Sequence, residues 1–523
     1  MIRRFTIAAV LLAASSAVHA ADPVEERSID AIAADLTAGR TTSHALVAAY
    51  LQRIARVDRA GPRINSVIVT NPDALAQADA LDRERKAGRV RGPLHGIPIL
   101  IKDNIESADR MPTTAGSLAL TANLGRRDAP LVARLRAAGA IILGKTNLSE
   151  WANIRSNRSS SGWSGVGGLT RNPYSLDRNA CGSSSGSGAA AAASLAAAAI
   201  GTETDGSVTC PAAINGVVGM KPTVGLVSQT FVVPISHSQD TAGPMTRSVR
   251  DAALVLTALA GRDPADPATA SADAHKTDYA ASLQPGALKG KRLGVMRFAI
   301  GSDPKTARAF EAALDELRGA GAILVDVATF EPRAQMRKDE HVVLMTELKA
   351  DLNLYLASAP AAVTTRTLAD VIAFNTAHAD TEMPWFGQET FEEAQATKGL
   401  TDPDYLKARE EGRRLAGPEG IDRMLAADRL DALVAPTTGP SWTTDLVNGD
   451  HVGGAGAGAL AAIAGYPHLT VPMGLVNGLP VGLSFIGTAW SEARLFALGY
   501  GYEQLRPHRI PPTYPVNVTS ARR

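Results

Sequence analysis

Residues 181–207 read CGSSSGSGAAAAASLAAAAIGTETDGS. By composition alone, a Gly/Ser run of this kind is a flexible linker. Its neighbour argues for something else. The run 189–200 carries no charge and few large side chains. It predicts a helix packed tightly inside a core, and it is too short to span a bilayer. A Gly/Ser loop that opens onto the N-terminus of a buried helix presents backbone N–H groups to a ligand.

Working outward, 93–101 (PLHGIPILI) has the pattern of a turn followed by a buried strand, and Lys102 follows it directly. Residues 26–58 carry helical periodicity, with Ile32, Leu36, Leu46, Ala49 and Leu51 on or near one face. A charged helix is expected over 73–87, another over 130–138, and a short strand over 140–143. Downstream, 285–327 reads strand, helix, strand (291–296, 306–320 and 323–327). Strand character returns at 432–435 and 469–471. Such alternation predicts an α/β layered fold. Residues 331–430 are helix-rich and more polar, and hold Met336, Met345, Phe374, Trp385 and Phe386. They read equally as an insert covering a site or as extra helices outside the sheet.

Over 523 residues, 53 Lys and Arg balance 52 Asp and Glu, and the net charge of +1 gives no electrostatic reason to bind nucleic acid or an anionic membrane. Arg3 and Arg4, the apolar run 5–14 and Val18-His19-Ala20 have the pattern of a secretion signal cut after Ala20. Residues 1–20 are therefore expected to be removed and 21–523 to be exported, to the periplasm or beyond. No repeat, linker or charge block divides 21–523, so a single domain and a monomer are expected. Cys181 and Cys210 are too few for a disulfide framework. Two small buried thiols are the expectation, although export makes one bridge chemically feasible. The ten His are scattered without zinc-ligand spacing, and no metal or cofactor is expected.

The candidates for chemistry are the serine-rich loop 182–188, Ser207 and a lysine. A Ser-His-Asp set is disfavoured: neither Ser185–Ser187 nor Ser207 sits in a strand-to-helix G-x-S-x-G turn, and no His stands in a setting that marks it as a base. His95 and His237 read as ordinary loop or core histidines. Lys102 is the better candidate base, because a lysine leaving a buried strand is unusual. Were the strand to continue, alternation would turn Asp103 to the opposite face.

The strand ending in Lys102-Asp103-Asn104, the loop 182–188 and GTETDGS ending at Ser207, 24 positions after Ser183, resemble the amidase signature family. Further likeness lies in GKTNLSEW (144–151), GMKPT (219–223), DTAGPM (240–245) and APTTG (435–439), so the resemblance runs from about 90 to 490. CGSSSGS (181–187), AGPEGID (416–422) and GTAWSE (487–492) point within it to the bacterial peptide amidases. The departures are Asp205 where glycine is usual and Ser185 in place of the first of two paired glycines; both read as marks of that subgroup.

The resemblance implies a central mixed β-sheet with helices on both faces. It also implies a catalytic set of Ser207 as nucleophile, Ser183 as relay through a cis peptide bond and Lys102 as base. The oxyanion hole would be the backbone N–H groups of Thr204, Asp205 and Gly206. The implied substrate is a small-molecule or peptide amide, most specifically a C-terminal peptide amide losing ammonia. Alternatives are an amidase or esterase for small aryl or alkyl substrates, a component of a transamidase, and a non-catalytic relative.

Overall fold

Apolar β-branched runs such as Pro98–Lys102 and Ile141–Thr146 are buried along their whole length, as strands covered on both faces must be. In the computed structural model, which describes residues 22–520, these runs lie in one eleven-stranded mixed sheet. Its strands are β1 (Val67–Thr70), β2 (Pro98–Lys102), β3 (Ile141–Thr146), β8 (Ala198–Glu203), β9 (Val218–Lys221), β10 (Thr241–Thr246), β11 (Arg292–Met296), β12 (Ile323–Val327), β13 (Ala432–Pro436), β14 (His468–Val476) and β15 (Leu479–Ile486). Four short strands, β4 (Trp163–Ser164), β5 (Gly168–Leu169), β6 (Arg171–Asn172) and β7 (Ser175–Asn179), form two separate ribbons. The sheet order is β1-β3-β2-β8-β10-β9-β14-β15-β13-β11-β12. Helices cover both faces, as the fold class required. The proposed signal, 1–20, lies outside the described residues. Among those described, no helix is long and apolar enough to cross a membrane.

The run 189–200 departs from its expectation. It is a helix only as far as Ala192 (Ser185–Ala192), then turns through Ser194 at φ 56° and becomes β8. Alanine has no periodic signal to separate the two halves, and tertiary pairing decides: Ala198, Ala199 and Ile200 pair in parallel with Ile99, Leu100 and Ile101. The small residues serve close packing. At Gly186, a Cβ would stand 2.3 Å from the Ser66 carbonyl and 2.6 Å from the Asn147 amide.

Other expectations shift by smaller amounts. Residues 26–58 form two helices, Ile29–Thr37 and Ser43–Arg53, because Ser28 and Thr42 each cap a new start. Ribbon strand β7 precedes the Gly/Ser loop, where no strand was expected; it belongs to no large sheet. Strands β1, β9, β10 and β15 of the large sheet, and the short β4, β5 and β6, were not foreseen. The segment 331–430 is helical, led by Arg333–Ala357. Its Met345, Leu348, Leu352 and Phe391 share a core with Trp151, so it packs against the GKTNLSEW segment.

Candidate active site

Lys102 is the last residue of β2 and has no solvent exposure. Its Nζ donates to Ser183 Oγ at 2.8 Å, to Thr202 Oγ1 at 2.8 Å and to the Thr202 carbonyl at 3.3 Å. Burial pushes the amine down to about 7, against the pull of Asp240 and Glu203. Asp103 has no part in this. It accepts from Thr114 and is acted on by Lys145; the strand stops at Lys102, so a turn and not strand alternation carries Asp103 away.

Ser183 follows a cis peptide bond to Gly182. Its carbonyl accepts from Ser149 N at 3.0 Å, and the next amide, Ser184 N, donates to the Ser207 carbonyl at 3.1 Å. Ser184 Oγ also donates to the Thr202 carbonyl at 3.0 Å. The two serine segments are tied covalently as well. Cys181 and Cys210 form a disulfide, with Cα atoms 6.1 Å apart, which corrects the expectation of free thiols. A separation of 29 residues carries no pairing signal. Only the folded chain brings together Cys181, just before Ser183, and Cys210, just after Ser207.

Ser207 is 8% exposed, and its hydroxyl makes no hydrogen bond with the described residues. Catalytic hydrogen bonds commonly close only when substrate is bound. Before Ser207 the loop turns through Gly206 at φ 79°, a conformation glycine adopts without a Cβ penalty. The backbone N–H groups of Thr204, Asp205 and Gly206 have no acceptor among the described residues.

Two acids that sequence reasoning passed over shape this loop. Glu203 is buried and accepts from Val208 N at 2.7 Å and Thr209 N at 2.8 Å, fixing the start of the helix Thr209–Ile214. Asp240 accepts from Thr204 Oγ1 at 2.5 Å and from the amides of Ile235 and Ser236, and burial pushes it up to about 6. Both lie within the quoted motifs GTETDGS and DTAGPM; their only signal was an acid inside an otherwise small, apolar context.

The histidines stand elsewhere. His95 Nε2 bonds the Leu81 carbonyl, and His237 lies between Asp351 and Glu347. Glu347 already accepts from Ser236, Ser238 and Tyr405 hydroxyls. The arrangement as a whole offers a serine hydroxyl, a second serine, an amine discharged near neutrality and unpaired N–H groups. These are the parts that acyl transfer needs.

A family model described as Amidase matches residues 45–496. A probable amidase of Arabidopsis thaliana is 38% identical over 502 residues, 94% of this chain and 92% of that one. The glutamyl-tRNA(Gln) amidotransferase component from Halorhodospira halophila is 37% identical over 497 residues, 92% of this chain and 98% of its own. Among solved structures, the native peptide amidase from Stenotrophomonas maltophilia aligns with a TM-score of 0.88 at 55% identity, covering 94% of this chain and 99% of that one.

Proposed function

The chain belongs to the amidase family and is an amide hydrolase; we propose that it deamidates C-terminal peptide amides through Ser207, Ser183 and Lys102. Ser207 Oγ attacks the amide carbon and passes its proton to Ser183, whose own proton goes to the neutral amine of Lys102. The new oxyanion is received by the N–H groups of Thr204, Asp205 and Gly206. Collapse breaks the C–N bond, the proton returns through Ser183 to the departing nitrogen, and ammonia leaves. Water then attacks the acyl-Ser207 ester by the same relay and releases the peptide acid.

The observation that carries this reading is Lys102 Nζ at 2.8 Å from Ser183 Oγ, wholly out of solvent. A charged lysine there would be a poor base, and burial removes the charge. Substrate class rests on the 55% identity to a peptide amidase. The likeness to a glutamyl-tRNA(Gln) amidotransferase component favours one second reading, glutamine hydrolysis within a larger assembly. Export opposes it, and export is supported by the Cys181–Cys210 bridge, since such bridges persist in oxidising compartments. N-terminal sequencing of the secreted chain should begin at Ala21.

The deciding experiment incubates the enzyme with an amidated peptide, its internal-bond analogues, free glutamine and aryl amides. Mass spectrometry is expected to show a gain of about one dalton on the amidated peptide, with ammonia and no fragments. Internal cleavage, or turnover of glutamine alone, overturns the substrate assignment.

A further inference from the structure

The loop that bears Ser207 is held from outside by a closed ring of polar contacts. Arg337, on the helix Arg333–Ala357, donates to the Asp205 carboxylate and, at 2.9 Å, to Glu340 Oε2 one turn further along. Glu340 is buried, and its other oxygen accepts from Gln239 Nε2 at 3.1 Å. The same Gln239 nitrogen reaches back to the Thr204 carbonyl at 3.4 Å. The ring therefore starts and ends on Thr204 and Asp205, two of the three residues whose N–H groups lack an acceptor among the described residues.

A loop with unpaired amides and a glycine beside them cannot hold its own geometry. Oxyanion donors stabilise a transition state only when they are fixed before the charge develops. The anchor here is stiff. The helix runs for 25 residues, and Met336, next to Arg337, is buried with Ile421 and Leu460. Asp205 is also where the sequence departs from the glycine usual in its family. A glycine there would offer Arg337 nothing to hold.

Resting on the reaction proposed above, we infer that Arg337, Glu340 and Gln239 are positioning residues that set the oxyanion amides of Thr204 and Asp205, so that the helical segment 331–430 tunes the chemical step. None of the three needs to touch substrate.

The test measures kcat and KM with an amidated peptide for Arg337→Ala, Arg337→Lys and Glu340→Gln. It also measures inhibition by a peptide aldehyde, whose hemiacetal with serine places an oxygen anion in the same N–H groups. Arg337→Ala is expected to lower kcat roughly ten- to hundred-fold with KM within about twofold, because misplacement rather than loss of a donor is the fault. Aldehyde affinity should fall in parallel. Glu340→Gln should lose less, and Arg337→Lys should recover part of the loss by keeping a cation near Asp205. A raised KM at unchanged kcat would make Arg337 a substrate contact and overturn the inference. So would a fall in kcat with aldehyde affinity intact, or wild-type values throughout. If Arg337→Ala does not fold, the Lys and Gln variants carry the same division between kcat and KM. If the wild type ignores peptide amides but hydrolyses an aryl amide, the substrate assignment fails by itself, and the ring is judged on that substrate.

Discussion

Strand β2 ends in a buried lysine and β3 carries one at its next-to-last position, and the two face different parts of the molecule. The parallel register sets Ile101 opposite Lys145 and Lys102 opposite Thr146. Thr146 bonds Ser187 at 2.7 Å, so Lys102 shares the face of the helix Ser185–Ala192 while Lys145 takes the other. Neither lysine is exposed, and burial lowers both from the usual lysine range. Lys145 Nζ donates to the Ile105 carbonyl and, at 2.8 Å, to Thr113 Oγ1, and the acids that act on it are Asp103, Asp109, Glu106 and Asp128, with Asp103 foremost. Around Lys102 the direct partners are likewise hydroxyls and a carbonyl, and only two acids act on it, Asp240 and Glu203, which burial pushes up as it does Asp103. Burial alone therefore does not single out a base; position does, since Lys102 faces Ser183 while Lys145 faces Thr113. Lys145 is held among four acids, and Lys102, drawn by two, is the amine brought down to about 7 beside a serine.

The harshest way to break this comparison is to remove each proton carrier on the Lys102 side. Lys102→Arg should be inactive at every accessible pH, since guanidinium keeps its proton. The loss in kcat is expected to be on the order of 10³-fold or more, at least the usual contribution of a general base. Ser207→Ala should abolish turnover and labelling by a fluorophosphonate, read by intact mass. Its thermal midpoint should stay near that of the wild type, because the Ser207 hydroxyl makes no hydrogen bond with the described residues that would be lost. Substantial turnover in Lys102→Arg would withdraw the assignment of the base.

On the other face the expected effect is on stability. Lys145→Met removes the cation that opposes the buried Asp103 and leaves the Ile105 carbonyl and the Thr113 hydroxyl without their donor, and should cost about 1–3 kcal/mol in urea unfolding. The kcat of the folded fraction should stay within about twofold. Were Lys145→Met instead as inactive as Lys102→Arg, the division of roles between the two strands would be lost.

That division was half legible beforehand. Lys102 could be singled out because an apolar strand runs straight into it, and Ser183 and Ser207 through the resemblance of their segments to the amidase signature. The structure brings Lys102 and Ser183 within hydrogen-bond distance, with the Ser207 segment stapled beside them. What stayed hidden acts across the chain. Asp240 meets Thr204 36 residues away, and Arg337 meets Asp205 132 residues away. No local pattern records such contacts. The alanine run hid its helix-to-strand change for a different reason: without periodicity or large side chains, only pairing with β2 selects the strand.

The disulfide offers a milder perturbation of the Lys102 side alone. A Cys181→Ser, Cys210→Ser variant opens a closed loop of about thirty residues and should lose about 2–4 kcal/mol of stability. Because the bridge also ties the Ser183 and Ser207 segments together, kcat should fall as well. The Lys145 region should keep its amide protection in hydrogen exchange. Equal loss of protection at Lys145 and Ser183 would mean that the bridge stabilises the whole sheet rather than the site.

The finest test is pH. With Lys102 held down to about 7, its neutral form is lost as pH falls, so kcat/KM should show an acidic limb near pH 7 and drop tenfold per unit below it. The Asp240 carboxylate favours the charged amine. Asp240→Asn should therefore move the limb to lower pH, while Lys145→Met should leave it in place. Stability should carry the same signature with a definite sign. Between about pH 7 and the free-lysine value near 10.4, the unfolded chain holds a proton on Lys102 that the folded chain has released. Raising the pH through that window thus favours the folded state, by at most about 1.4 kcal/mol per unit from this group. In Lys102→Met that contribution vanishes, and the variant should be more stable than the wild type at pH 7.5, with the gap closing towards pH 10. Urea midpoints at the two pH values measure it. A gap that widens with pH would mean that Lys102 is charged in the resting enzyme, and that the two buried lysines are alike after all.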